Sequence, residues 1–196
     1  MRTTMTKHSL IAIILLLSVS IWGKPATALE TDKVVIMPVT AKSASLEKNL
    51  AEFTAQIRTY FGNNPRIVML GDDQLQSLLG ASTGTNQQLL QVAGEKLGCQ
   101  SALLVTLERY RERLGDEYSA TDPASLAFSF RLINVADGKV TCFGQFDETQ
   151  QPVSENVLAI GQAFKRGFKW ITLGDLTKEA LKHKFASCPG LADLAN

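Results

Sequence analysis

Histidine is scarce in this 196-residue chain: it occurs twice, as His8 and His183. His8 lies in the N-terminal segment described below, so His183 is the histidine left for the folded domain, and it stands among lysines in a segment typical of a solvent-facing helix. A Ser-His-Asp or Cys-His site needs a histidine base beside its nucleophile. Neither a histidine cluster nor a Cys-x-x-Cys pair offers zinc-ligand spacing. The sequence therefore predicts no catalytic residue, no metal and no cofactor.

A dominant charge of one sign is also lacking, because 20 Lys and Arg residues face 19 Asp and Glu residues. Beyond residue 28 the balance is 17 basic to 19 acidic residues. A general nucleic-acid binder carries a concentrated basic surface, so this class is disfavoured. The glycines of residues 80–84 lack the Gly-Lys-Ser/Thr sequence that completes a phosphate-binding P-loop. We interpret that stretch as a plain loop.

Long hydrophobic runs are absent except at the N-terminus, where residues 10–22 follow Arg2 and Lys7. Small residues at Ala26-Thr27-Ala28 then match a signal-peptidase site, so residues 1–28 are predicted to be a cleaved secretory signal peptide. The apolar run is short for a membrane span, although an uncleaved anchor is the alternative. No cysteine follows the run, so a lipid anchor is not supported. We expect export, most simply to a bacterial periplasm.

Hydrophobic spacing after the signal segment indicates one domain, residues 29–187, and a flexible C-terminal tail, residues 188–196. Period-two and continuous apolar runs predict strands, and apolar stripes at helical spacing predict helices. The predicted strands cover residues 33–39, 66–70, 103–107, 126–132 and 140–146, and the helices cover residues 46–61, 75–79, 89–97, a stretch from Ser154, and 176–181. This order predicts an α/β (α+β) fold with a mixed sheet of about five strands flanked by helices.

Three cysteines are an odd number for an oxidising compartment. One disulfide with one free thiol, an intermolecular bridge, and a buried apolar role for Cys142 all remain open. Cys188 lies in the predicted tail and is the best candidate for a flexible or intermolecular thiol. The pairing of Cys99, Cys142 and Cys188 needs distances that the sequence does not contain.

Two segments are candidate contact surfaces. The first runs off the third long strand and contains Arg and Tyr, which are favoured at protein interfaces; its predicted contact residues are Arg109, Tyr110, Arg111, Arg113 and Tyr118. The second contains the adjacent carboxylates Asp147 and Glu148. Neighbouring residues of an extended segment point to opposite sides, so this pair does not form an acid–base site by itself. An ordinary mixed-charge strand end and a strand-to-helix corner are the structural alternatives.

Several segments together resemble a group of exported bacterial envelope proteins that are often lipoproteins. The matching stretches are residues 109–113, 123–128, 146–150, 154–156 and 165–170. The group is similar to the TolB N-terminal domain, to CsgG and to LpoB. The resemblance covers residues 33–185 and implies an anticodon-binding-domain-like (TolB N-terminal-like) α/β fold that is used for protein contacts, without catalytic residues. The chain lacks the lipobox cysteine of the lipoprotein members.

The sequence thus favours a periplasmic, non-enzymatic binding or assembly module that acts on an envelope protein in outer-membrane assembly, secretion or cell-wall synthesis. Peripheral association with the outer membrane is compatible with this prediction, and the CsgG resemblance implies a homo-oligomer. One alternative is an exported hydrolase with carboxylates such as Asp147 and Glu148 converging in a deep pocket. Another is a small-molecule or lipid carrier, which needs an apolar cavity.

Overall fold

The computed structural model describes residues 32–80, 86–151, 161, 167 and 169–195. These residues belong to one compact unit that begins at Asp32. The predicted signal peptide (residues 1–28), most of the predicted 80–85 loop and the helix predicted from Ser154 lie outside the described residues.

The centre of the domain is a mixed β-sheet. Its strands are β1 (Val34–Ile36), β2 (Thr40–Ala41), β3 (Ile67–Met69) and β4 (Ser101–Arg111), and a separate hairpin of β5 (Leu114–Gly115) and β6 (Ala120–Asp122) precedes β7 (Ser125–Asn134) and β8 (Val140–Thr149). The order is β3-β1-β4-β7-β8, with β2 beside β4. Pairs among β1, β2, β3 and β4 are parallel, and β4-β7 and β7-β8 are antiparallel. The predicted fold class is confirmed; β2 and the small hairpin were not predicted, because strands of two or three residues carry no readable periodicity.

Four described helices flank this sheet: α1 (Leu50–Phe61), α2 (Asp72–Leu79), α3 (Asn86–Leu97) and α4 (Leu173–Ala186). A 3-10 turn, Ala44–Asn49, leads into α1. Thr172 caps α4, because its hydroxyl accepts the Asp175 N–H at 3.1 Å and donates to the Asp175 carboxylate at 2.8 Å. Among the described helices, none has the length and apolarity that a bilayer crossing requires.

One face of the sheet carries the main core. Helices α1 and α4 pack against β4 and β7 through side chains with no solvent exposure, among them Phe53, Phe128 and Phe185. The Phe53 and Phe128 rings lie 5.5 Å apart, and the Phe61 and Phe185 rings stack at the same distance. Aromatic pairs at such distances add to the burial of apolar area. This face is therefore closed to partners.

The described helices cover the opposite face at one end only. A smaller core there joins Leu90 of α3 to Ala102, Ile133 and Val135, with Val35 beneath. Gly94 allows α3 to lie this close, because a Cβ atom at Gly94 would stand 2.3 Å from a Val135 methyl carbon. The rest of this face, toward the far ends of β4, β7 and β8, carries polar and exposed residues.

The C-terminal segment packs on the domain. Cys188 is fully buried and forms a disulfide with Cys142 of β8, across a Cα–Cα distance of 5.9 Å. Leu191 and Leu194 have no exposed surface. The prediction of a flexible tail with a mobile Cys188 thiol is therefore wrong, because two buried leucines and a crosslink hold the segment. Cys99 is a buried free cysteine.

Candidate functional site

A β-bulge in β4 divides the predicted Arg/Tyr surface. Leu107 lies opposite Phe128 of β7, whereas Arg109 lies opposite the very next β7 residue, Ala127, so Glu108 is an extra residue in the ladder. An extra residue reverses the side to which the following side chains point. Tyr110 consequently turns toward the main core, and its neighbours in the sequence turn away from it.

Tyr110 is a core residue. It is only 7% exposed, and its ring packs edge-on against Phe53 at 5.8 Å. Its hydroxyl oxygen is buried near Glu52 and Thr177 and makes no hydrogen bond of standard geometry to any described residue. Burial raises the pKa of the Tyr110 hydroxyl well above its ordinary value, and the charge of Glu52 raises it further. The prediction that Tyr110 contacts a partner is corrected by this placement.

Arg113 and Tyr118 hold the chain segment just before α4. The Arg113 guanidinium donates to the Trp170 carbonyl at 2.7 Å, and the Trp170 N–H donates to the Glu117 carbonyl at 2.8 Å. The Lys169 ammonium lies 5.2 Å from the centre of the Tyr118 ring and 3.1 Å from the Glu117 carboxylate. These contacts give Arg113 a structural role. Tyr118 keeps 67% of its surface exposed, so it stays a predicted contact residue.

The start of α4 is hydrogen-bonded to Glu112, which lies between β4 and the β5–β6 hairpin. Both carboxylate oxygens of Glu112 accept the Leu173 N–H, at 3.0 and 3.1 Å. The first N–H groups of a helix have no partner within the helix, so an acceptor from elsewhere stabilises its beginning. The pKa of Lys169 is raised by its hydrogen bond to Tyr118 and then by Glu117.

Arg109 and Asp147 come together on the half-covered face of the sheet. Ala127 of β7 lies between them, opposite Arg109 on one side and Asp147 on the other, and the two charged side chains form an ion pair above it. Glu148 lies opposite Leu126 and therefore on the main-core face. The two adjacent carboxylates are thus separated by the strand, as the sequence predicted. Arg111 lies exposed at the end of β4.

We call the part of this face that the described helices leave uncovered the open sheet face. Its side chains lie in rows, each of which runs across β4, β7 and β8. One row is polar: Thr106 lies opposite Ser129, which lies opposite Gln145, and the Thr40 hydroxyl meets that of Thr106 at 3.0 Å. The next row contains Leu104, Arg131 and Phe143, and beyond the polar row on the other side lies the Arg109–Asp147 pair. Lys42 and Glu108 form an ion pair at the border of the open sheet face. The hydrogen bond that Lys42 donates lowers the pKa of the Glu108 carboxyl group.

A groove lies where the open sheet face meets α2 and α3. Its volume is about 860 Å³, and its helical wall consists of Leu75, Leu79, Leu89 and Leu90. Its floor includes Leu104, Arg131 and Phe143. Phe143 is 80% exposed, an unusual fraction for an aromatic residue within a sheet. Arg131 has no ion-pair partner among the described residues.

The described residues offer little for acid–base chemistry. Asp72 is the one carboxylate among the described residues that line the groove. Within the part of the chain that the structure describes, no three His, Cys, Asp or Glu residues converge as metal ligands. Asp147 and Glu148 face opposite sides of β8, so the arrangement required by the hydrolase alternative is not formed by this pair.

The sequence did not predict the groove. The closely spaced leucines of α2 and α3 indicated apolar helix faces, but a periodic pattern does not say how much of a sheet each helix covers. The exposed Phe143 also matched the pattern of an ordinary strand, because it alternates with Cys142 and Gly144. What identifies the site is the uneven coverage of the sheet, which is a property of the tertiary structure.

No protein-family model matches the chain, and no curated protein matches it. Among solved structures the chain is similar to PelC of Paraburkholderia phytofirmans, a dodecamer, with 11% identity over 76% of this chain and 81% of that chain and a TM-score of 0.47. It is similar to a hypothetical protein of Chlamydia trachomatis, with 15% identity over 83% and 99% of the two chains and a TM-score of 0.47.

The C-terminal domain of LpoB from Escherichia coli is also similar, with 17% identity over 64% of this chain and 88% of that chain and a TM-score of 0.41. LpoB is also one of the proteins named in the resemblance read from the sequence. The resemblance to the TolB N-terminal domain and to CsgG stays a prediction.

Proposed function

We propose that this protein is a non-enzymatic binding module of the bacterial cell envelope and that its open sheet face contacts a protein partner. The observation that carries the proposal is the uneven coverage of the sheet by the described helices: α1 and α4 close one face, whereas α3 closes one end of the other and α2 lines the groove beside it. An exposed aromatic side chain beside charged and polar rows is typical of a protein interface.

The cysteines support the compartment. Cys142 and Cys188 are joined, and disulfides persist in the periplasm and other oxidising compartments but are rare in the cytosol. This pairing agrees with the predicted export of the chain after residues 1–28. We therefore propose a periplasmic location, with the signal peptide removed.

Arg109, Arg111 and Asp147 are the proposed charged contacts. Arg111 is exposed at the strand end, and Arg109 and Asp147 are 39% and 56% exposed. A partly exposed ion pair contributes only about 0–1 kcal/mol to folding. The Arg109 and Asp147 side chains can therefore exchange this ion pair for contacts with a partner at a small cost in folding free energy. Tyr118 is a secondary candidate, whereas Glu148 lies on the main-core face and does not belong to the open sheet face.

The test is capture of partners from native envelopes by crosslinking and mass spectrometry. We expect wild-type protein to retain a reproducible envelope protein that the double variant Arg109→Ala/Arg111→Ala loses. The matched control is Lys178→Ala/Lys182→Ala, which removes the same charge from the exposed side of α4. Equal capture by both double variants contradicts the assignment, and so does the absence of any reproducible partner.

A second candidate is carriage of an amphiphile, favoured by the groove. Its volume of about 860 Å³ lies within the range of small-ligand sites. Leucines form the wall, and Arg131 lies at the floor without an ion-pair partner in the described part of the chain, so the fitting ligand has one acyl chain and an anionic head group.

A fluorescent fatty acid tests this second function with purified protein. We expect saturable binding that Leu79→Asp abolishes and Arg131→Gln weakens by about tenfold, the loss of one charge-assisted contact. Leu114→Asp, at an exposed leucine of the hairpin, is the control and should bind normally. Absence of saturable binding, or equal effects of the groove and control variants, removes this candidate.

A further inference from the structure

Strand β8 is an outer strand of the sheet and pairs with β7 on one side. It has ten residues, and none of them is buried. Gly144 is informative because it has no side chain: its partial exposure means that the backbone itself is accessible in the middle of the strand. An accessible outer strand offers its free N–H and C=O groups to another strand.

The usual protection of such an edge is weak here. Proteins protect outer strands with lysines, prolines, bulges or short length. The stretch of residues 140–146 has no charge and no proline, and its one bulge, opposite Leu132 and Ile133, lies near the beginning. Phe143 and Val140 are 80% and 48% exposed. The middle of β8 thus has the composition of a covered strand.

The charges around β8 identify what covers it. Lys139 comes directly before the strand, ion-paired with Asp137 and with 81% of its side chain exposed, and Asp147, which is paired with Arg109, and Glu148 stand at its other end. Beside an antiparallel second copy, the acidic end of one strand meets the basic beginning of the other. A parallel neighbour would place like charges together. The strand is therefore complementary to itself in the antiparallel direction.

We infer that β8 pairs antiparallel with β8 of a second copy of this chain and joins the two sheets into one. A two-fold axis perpendicular to the sheet keeps both open faces on one side, so side chains directly opposite share a face. The register that brings the acidic end of one strand beside Lys139 of the other places Phe143 opposite Phe143. Thr141 then lies opposite Gln145.

This inference does not depend on the proposed function. It rests on the backbone edge of β8, although Phe143 and Asp147 lie both at this edge and on the open sheet face. A chain that dimerises without an envelope partner, or binds one as a monomer, separates the two proposals.

Sedimentation equilibrium of the purified chain without its first 28 residues tests the dimer. We expect a concentration-dependent dimer in which Phe143→Lys weakens association by about tenfold or more, because like charges then face each other on the axis. Leu114→Lys, at the exposed leucine of the β5–β6 hairpin, should associate like wild type. A strictly monomeric wild type, or equal effects of the two lysine variants, overturns the inference.

The register has its own test. Benzoyl-phenylalanine replaces Phe143, and ¹⁴N-labelled and ¹⁵N-labelled copies are mixed before irradiation, so that crosslinks between copies carry both isotopes. We expect mixed-isotope crosslinks to peptides that contain residues 140–146. Mixed crosslinks exclusively to other regions contradict β8 pairing, even if a dimer is present. A fold check by circular dichroism accompanies each variant.

Discussion

At the residue scale, Arg109 and Tyr110 show how neighbouring residues acquire different roles. Arg109 reaches across Ala127 to Asp147 on the open sheet face, while Tyr110 fills the space beside Phe53. Sequence composition predicted that both were contacts, because Arg and Tyr are both favoured at interfaces. Composition could not distinguish them, since the difference depends on one extra residue in the ladder.

Tyr110 is expected to matter for stability and not for binding. Tyr110→Ala should lower the free energy of unfolding by about 3 kcal/mol, because it removes a buried ring from the core. Tyr110→Phe should change it by less than about 1 kcal/mol, because the hydroxyl has no partner to lose. Chemical denaturation measures both values. A large loss of unfolding free energy in Tyr110→Phe would mean that the hydroxyl is hydrogen-bonded. The control is Arg111→Ala at an exposed position, which should change the free energy of unfolding by no more than about 0.5 kcal/mol.

The hydrogen bond between Glu108 and Lys42 gives stability a pH dependence. The pKa of Glu108 is lowered from its usual 4.5 in the folded state. A lowered folded-state pKa stabilises the protein above the unfolded-state value, and this stabilisation disappears as the pH falls through the folded-state value. Glu108→Gln should therefore reduce the loss of thermal stability below about pH 4.5. An identical acid dependence in wild type and Glu108→Gln would contradict this assignment.

At the scale of elements, periodicity was a good guide wherever an element is long. The apolar stripe of α1 and the alternation in β4 and β7 predicted those elements and their buried sides, because each packs over many residues. The two-residue β2 and the β5–β6 hairpin escaped prediction, since backbone pairing with distant residues determines them. The groove was not predicted for a related reason, because the coverage of a sheet depends on where the helices pack in the tertiary structure.

The contact between α3 and β7 offers an element-scale prediction at Gly94. Gly94→Ala should destabilise the protein by about 1–3 kcal/mol, because the new methyl group overlaps with Val135. This cost exceeds the helix-propensity gain of about 1 kcal/mol. A Val135→Ala background removes both methyl carbons and leaves only the Cβ atom, 3.0 Å from the new methyl group, so the same substitution should cost less there. A double-mutant cycle measures the coupling, and equal effects in both backgrounds would rule out the steric explanation.

At the scale of the whole molecule, the Cys142–Cys188 disulfide ties β8 to the segment after α4. It spans 46 residues of sequence and fastens a segment whose leucines complete the main core. The sequence left the pairing open, because proximity of the two cysteines arises only when α4 packs on the sheet. The prediction of a tail failed for the same reason: short apolar residues near Pro189 show no periodicity that would indicate burial.

Loss of this disulfide should destabilise the whole domain. Cys142→Ser/Cys188→Ser is expected to lower the free energy of unfolding by about 2–4 kcal/mol, the usual contribution of a crosslink that closes a loop of this size. Reducing agent should produce a similar loss in wild type and none in the double variant. Denaturation with and without dithiothreitol makes the comparison. Equal stability of oxidised and reduced wild-type protein would contradict a structural role for the bond.

The bulge at Glu108 gives β4 one residue more than its partner strand requires. Deleting Glu108 would restore uniform alternation after Leu107 and leave Arg109 on the open sheet face and Tyr110 in the core. Losing the bulge while keeping the residue would instead carry Arg109 into the aromatic core. In a mutational library of this region, we therefore expect the single deletion at position 108 to be among the viable members.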